Sequence, residues 1–295
     1  MKKNLTGLMI LAMVLWGGSW VSGKIAAVTV PPMVIIFWRF SLTAVSLVPL
    51  LFAFRQSLRV SAKSLVLLIA AGTILFAYNA LFFMGLKTGL AGAGGVLVTS
   101  LNPLFTFLLT YLVHRTAISR KQIAGLLLGL AGGLVMLRVW EFSLSSLLAG
   151  GTLLFLIASA LWACLTMVSR KAQERVPFIA YSIYIYVTAA LLSLAFALSS
   201  GDLARTPMTV PFWLNMLYIS IGVTTVATTI FFVTTSRLGA RESSSFMFTV
   251  PVSAVVFSWL ILGEVPSLFT ILGGSLAVGA VYLLNRKEKV ILPVD

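Results

Sequence analysis

Charged and reactive side chains are scarce in this sequence. Among 295 residues there are seven acids, one histidine (His114) and one cysteine (Cys164). A lone cysteine excludes an intrachain disulfide, and beside a lone histidine it leaves no ligand set for a metal. The acids (Glu141, Glu174, Asp202, Glu242, Glu264, Glu288 and Asp295) lie between apolar stretches or near their ends. None is placed to carry a proton across the middle of one. Acid-pair chemistry, a Ser-His-Asp set and a phosphate loop are all missing. The glycine cluster GAGG at 92–95 has neither the strand nor the lysine of a nucleotide loop. No enzymatic activity and no cofactor are expected.

What the chain has in excess is apolar surface. Hydrophobic residues make up 60 % and charged residues 9 %, with a mean hydropathy of +1.07. Soluble domains carry about 25 % charged residues, so no aqueous fold could bury this surplus. The apolar runs have the length that a helix needs to cross about 30 Å of hydrocarbon. Period-2 alternation, the mark of a barrel strand, is absent. The reading is an all-α integral membrane protein. Ten transmembrane helices are expected at 5–24, 32–54, 64–86, 90–113, 121–140, 147–169, 178–199, 211–235, 241–262 and 267–285. The N-terminal run resembles a signal peptide but lacks a small-x-small cleavage site, and is read as a retained first helix.

The net charge of +14 would suggest nucleic acid in a soluble protein. Position gives a simpler account. With the N-terminus in the cytoplasm, sixteen of the 21 basic residues fall on the cytoplasmic side; only Lys24, Arg39, Lys87, Arg138 and Arg205 fall on the other. This is the positive-inside bias. It places both termini in the cytoplasm and the chain in the plasma (inner) membrane, with lipid headgroups rather than nucleic acid as the anionic partner.

The sequence also repeats itself. LWGGSWVSGK (15–24) resembles LWACLTMVSRK (161–171), pairing Trp16 with Trp162 at an offset of 146. Pro31 meets Pro177 at the same offset, and Pro103 meets Pro251 and Gly125 meets Gly273 at 148. Two five-helix halves follow: 1–144, and 145–287 with a cytoplasmic tail at 288–295. An odd helix count inserts the second half upside down, and the basic bias of equivalent loops reverses accordingly. Two inverted five-helix repeats around a central cavity are a common transporter architecture.

Ten helices in two halves, a tryptophan in the first helix of each, LNPL in helix 4 and LGE at 262–264 resemble the drug/metabolite transporter superfamily, specifically duplicated EamA-like domains. HisArgThr stands at 114–116 where the second half has LGE, so a role for Glu264 would not be shared by both halves. The resemblance covers nearly the whole chain. It implies a helical basket that exports small metabolites, and the branch expected is the one that exports aromatic amino acids.

Polar residues inside spans are costly and tend to face a cavity or another helix. Helical spacing groups the candidates for substrate binding: Trp16, Ser19 and Trp20 on helix 1; Tyr78, Asn79 and Phe82 on helix 3; Thr99, Ser100 and Asn102 on helix 4. The second half offers Trp162 and Thr166 on helix 6, Thr228 on helix 8, and Ser244 and Phe248 on helix 9. Pro103 and Pro251 are candidate kinks or gates, since each frees a carbonyl within its span. The glycines at 89–95 read as close helix packing. Lys24, Lys87 and Arg39 are placed near the outer rim, where they could meet a carboxylate or snorkel. The aromatic, acid-free cavity suits neutral or zwitterionic metabolites carried by alternating access. Multidrug or amphiphile export and, further off, a channel are the alternatives. A single chain suffices for this architecture, and the oligomeric state is left open.

Overall fold

The computed structural model describes residues 2–88, 91–115, 119–141, 151–262 and 265–285. Every regular element among them is helical. Lipid offers no water to exposed N–H and C=O groups, and a helix satisfies them within one segment. The first elements are α1 (Lys2–Thr29), α2 (Pro32–Ala53), α3 (Ala62–Thr88), α4 (Ala91–His114) and α5 (Arg120–Leu137). After a 3-10 turn at Val139–Glu141 come α6 (Thr152–Gln173) and α7 (Phe178–Ser199).

The next two rods change winding partway. α8 (Val210–Leu238) is α-helical over Val210–Leu217 and Thr229–Leu238, with a π-helical centre at Tyr218–Thr228. α9 starts at Ala240–Ser245, tightens into a 3-10 turn at Phe246–Thr249 and continues as Val250–Leu262. α10 is Leu268–Asn285.

Local chemistry sets several ends. Pro32 opens α2 at a position where its missing N–H has no partner to lose. Ser119 and Gln122 form a capping box on α5, with bonds of 3.3 and 3.0 Å. Arg138 closes that helix in the left-handed conformation, with φ of 52°.

Seven stretches are long and apolar enough to cross a membrane: Asn4–Thr29, Pro32–Ala53, Ala62–Lys87, Leu153–Gln173, Phe178–Ser199, Val210–Leu238 and Glu242–Ile261. Leu101–Val113 in α4 and Leu268–Leu284 in α10 are shorter apolar stretches. An all-helical integral membrane protein is the result.

The packing has a pattern. α2 lies along α7, and α5 along α10. α3 packs on α6 and α7, while α8 packs on α1 and α2; α4 packs on α6, while α9 packs on α1. Exchanging each helix for the one five places along returns the same contacts. Glycine makes the closest of them possible. A Cβ on Gly132 would lie 2.7 Å from the Gly273 carbonyl oxygen, so α5 and α10 meet backbone to backbone. The side-chain surroundings of the glycines at 89–95, and Gly263 and Glu264 of the LGE motif, lie outside the described residues.

Candidate functional site

A cavity of about 50 Å³ lies where α1, α2, α3, α4, α6, α8 and α9 converge. α1 supplies Trp16, Ser19 and Trp20; α3 supplies Leu75, Tyr78, Asn79 and Phe82. Val98 and Asn102 come from α4, Trp162 from α6, and Val223, Thr224 and Thr228 from α8. Arg39 and Phe40 of α2, with Met247 and Val250 of α9, complete the wall. No Asp or Glu is in this lining.

Six of the lining residues are aromatic, Trp16, Trp20, Phe40, Tyr78, Phe82 and Trp162. Trp16 meets Trp162 edge to face at 5.1 Å and Phe231 at 5.1 Å; Tyr78 lies 4.8 Å from Trp162, and Trp20 lies 4.8 Å from Phe82. These separations are those of favourable ring pairs. Small-molecule sites are typically about 300 Å³ or more, so this conformation admits a few waters and no metabolite. A substrate ring must displace some of these contacts to enter.

The polar groups are ordered by the helices beneath them. The Trp16 indole N–H donates to Thr228 Oγ1 at 3.3 Å, tying α1 to α8. Ser19 Oγ donates to the Trp16 carbonyl at 2.6 Å. Asn79 Nδ2 donates to the Leu75 carbonyl at 2.9 Å, which fixes the amide with Oδ1 turned outward from its own helix. Asn102 is fully buried, and its amide nitrogen is oriented to donate to the carbonyls of Val98 and Ser159 at 3.2 and 3.1 Å. The Trp162 indole nitrogen is buried and has no hydrogen-bond partner.

Arg39 turns inward. Its Nε donates to Thr224 Oγ1 at 2.6 Å and its Nη1 donates to Asn79 Oδ1 at 3.1 Å. Sequence position put this residue with Lys24 and Lys87 near the outer rim; both lysines are exposed, and Arg39 is not with them. Its partners sit on α3 and α8, so no pattern within α2 could disclose the contact.

The π-helical centre of α8 shapes the opposite wall. Thr224, Thr225 and Thr228 each donate a side-chain hydroxyl to the carbonyl five residues back, at 2.6, 3.1 and 3.2 Å. Wider winding puts Val223 and Thr228, five apart, on one face. π-helical turns are frequent at functional sites.

Three other candidates lie elsewhere. Thr166 is buried and donates back to the Trp162 carbonyl at 2.9 Å. Ser244 is buried and does not line the cavity. Phe248 packs with Ala277 and Ala280 of α10, and against Gly129 of α5. The 3-10 turn accounts for Phe248: i, i+3 neighbours share a face there, so Met247 and Val250 face the cavity and Phe248 does not. Pro103 is buried within a continuous α4, and Pro251 follows the 3-10 turn of α9. The side chains of Thr99 and Ser100 lie outside the described residues.

Membrane helices in matched sets around a small polar-and-aromatic cavity are the organisation of a membrane transporter. The chain belongs to the EamA-like transporter family, whose model matches it twice, over residues 6–138 and 149–286. It is 26 % identical over 291 residues to an uncharacterized transporter of Archaeoglobus fulgidus, covering 95 % of this chain and 97 % of that protein. It is also 26 % identical to a Salmonella typhimurium protein named "Probable amino-acid metabolite efflux pump", covering 94 % and 93 %. A Chlamydia trachomatis S-adenosylmethionine/S-adenosylhomocysteine transporter is 26 % identical, covering 87 % and 81 %. A protein of known crystal structure shares 21 % identity and superposes with a TM-score of 0.73, covering 95 % of this chain and 96 % of that one. That last likeness shows a shared fold.

Proposed function

We propose that this transporter exports small neutral or zwitterionic metabolites, aromatic amino acids foremost, by alternating access between two inverted five-helix repeats. Both termini then face the cytoplasm and the outward path opens between the halves. One observation carries the reading: the cavity at their junction is walled by tryptophan, tyrosine and phenylalanine and contains no acid. Rings of this kind stack on a substrate ring. The packing pattern that returns when helices five apart are exchanged supports the two-repeat architecture. The names of two relatives, an amino-acid metabolite efflux pump and an S-adenosylmethionine/S-adenosylhomocysteine transporter, point to amino-acid-like cargo.

No carboxylate is among the described residues that line the cavity, so facilitated or weakly coupled export is the expected energetics. The experiment is counterflow of labelled tryptophan, phenylalanine and leucine in proteoliposomes, with and without an imposed pH gradient. Saturable, competable flux with little response to the gradient supports the reading. Trp162→Ala and Asn102→Ala should abolish it while the protein stays folded; untouched flux in both would remove this cavity as the substrate site. A second reading, amphiphile export, is favoured by an apolar groove of about 480 Å³ lined by residues of α5, α9 and α10, among them Met136, Val252 and Ile271. Competition by hydrophobic amines stronger than by amino acids would favour that alternative.

A further inference from the structure

The cavity contains a cation that no described acid neutralises. A guanidinium inside a membrane protein is costly unless it is paired. Arg39 is held by an amide oxygen and a hydroxyl, at 3.1 and 2.6 Å, and among the described residues no carboxylate is its partner. Nε and one N–H of Nη1 are engaged; Nη2 has no hydrogen-bond partner among the described residues. The free edge belongs to a side chain that lines the cavity, and the guanidinium lies 5.7 Å from the centre of the Phe40 ring. A second donor without a partner, the Trp162 indole nitrogen, belongs to the same wall. Neutral groups thus hold the guanidinium in place while leaving its charge and its Nη2 edge uncommitted.

We propose that Arg39 is the receptor for a substrate carboxylate, and that this anionic group is obligatory for binding whereas the ammonium is dispensable. The inference rests on the reading that this cavity is the substrate site. A carboxylate matches the guanidinium fork with two parallel charge-assisted bonds. It also supplies the counter-charge that the protein lacks. Simple amines meet a buried positive charge and no acid, and are rejected. Asn79 and Thr224 are positioning residues: they fix the guanidinium from α3 and α8, the two helices on either side of the cavity.

The test is ligand-dependent thermal stabilisation of the purified protein in detergent. Two series are used: tryptophan, indole-3-propionate and tryptamine, and leucine, 4-methylpentanoate and isopentylamine. The amino acids and acids should stabilise the wild type, while the amines should not. Arg39→Gln should weaken the acids about 10- to 100-fold, the effect of losing charge-assisted bonds. Arg39→Lys should keep the preference for acid over amine with weaker binding. Asn79→Asp places a permanent carboxylate against the guanidinium; it should melt no lower than wild type and lose stabilisation by the acids.

The proposal is overturned if amines stabilise the wild type as well as acids do, or if no carboxylate of either series does. It is equally overturned if Arg39→Gln or Asn79→Asp leaves the acid preference intact in folded protein. Stabilisation by the aliphatic acids alone would support Arg39 as the receptor and contradict the preference for aromatic cargo.

Discussion

The two halves of this transporter match in their scaffold and differ in their chemistry. Trp16 and Trp162 stand 146 residues apart and meet ring to ring at 5.1 Å. The same offset pairs Phe40 with Tyr186, and these rings stack at 5.6 Å with an interplanar angle of 11°. Equivalent residues therefore meet each other along the junction. Polar function is not shared in this way. The offset carries Arg39 onto Ile185, which is fully buried. Trp16 has a hydrogen-bond partner and Trp162 has none. Duplication supplied a symmetric frame, and the cation was placed on one side of it while both halves line the cavity.

The largest effect should come from forcing that chemistry to be symmetric. Ile185→Arg buries a second cation with no acid to meet it, at a cost of several kcal/mol, about 3 or more. Loss of monodisperse protein in detergent is the expected outcome; a variant as stable as wild type would mean that this position reaches water. Next comes a matched pair. Trp16→Phe and Trp162→Phe remove equal ring volume, but only the first also removes a hydrogen bond, the one to Thr228. Its thermal midpoint should fall further, by the equivalent of about 1 kcal/mol. Equal losses would show that the Trp16–Thr228 bond contributes nothing. The smallest effect is expected for Tyr186→Phe, which keeps the stack on Phe40 and loses the bond from Tyr186 Oη to the Thr224 carbonyl at 3.2 Å. About 1 kcal/mol or less should be lost, and calorimetry against Phe40→Leu would separate stacking from hydrogen bonding.

Much of the scaffold was legible because membranes make sequence patterns strict. Apolar runs of helix length have one solution in lipid, and mid-span tryptophans are too deep for an interfacial belt. The stripes on α1 and α3 converge on the cavity, since both helices keep the regular winding that a 3.6-residue spacing assumes. That spacing put Phe248 at the cavity, and it packs on α10 instead because α9 tightens into a 3-10 turn through Phe246–Thr249. On α8 the wider π-helical winding brought Val223 to the site alongside Thr228, five residues on. The inward position of Arg39 was illegible for a different reason. Seven residues into α2 it reads like any snorkelling cation near a span end, and only the tertiary arrangement brings Asn79 and Thr224 to meet it.

The central claim, that this cavity opens alternately to the two sides, is open to one direct measurement. Ser19 lines the cavity and is half-buried, and Cys164 is the only native cysteine. A Ser19→Cys variant on a Cys164→Ala background can be labelled with a membrane-impermeant thiol reagent from either face of oriented vesicles. Labelling should occur from each face in turn, slow when a transported amino acid is added, and never proceed from both faces at the rate of an open pore. Fast labelling from both sides at once, unaffected by any amino acid, would contradict the account and indicate a channel.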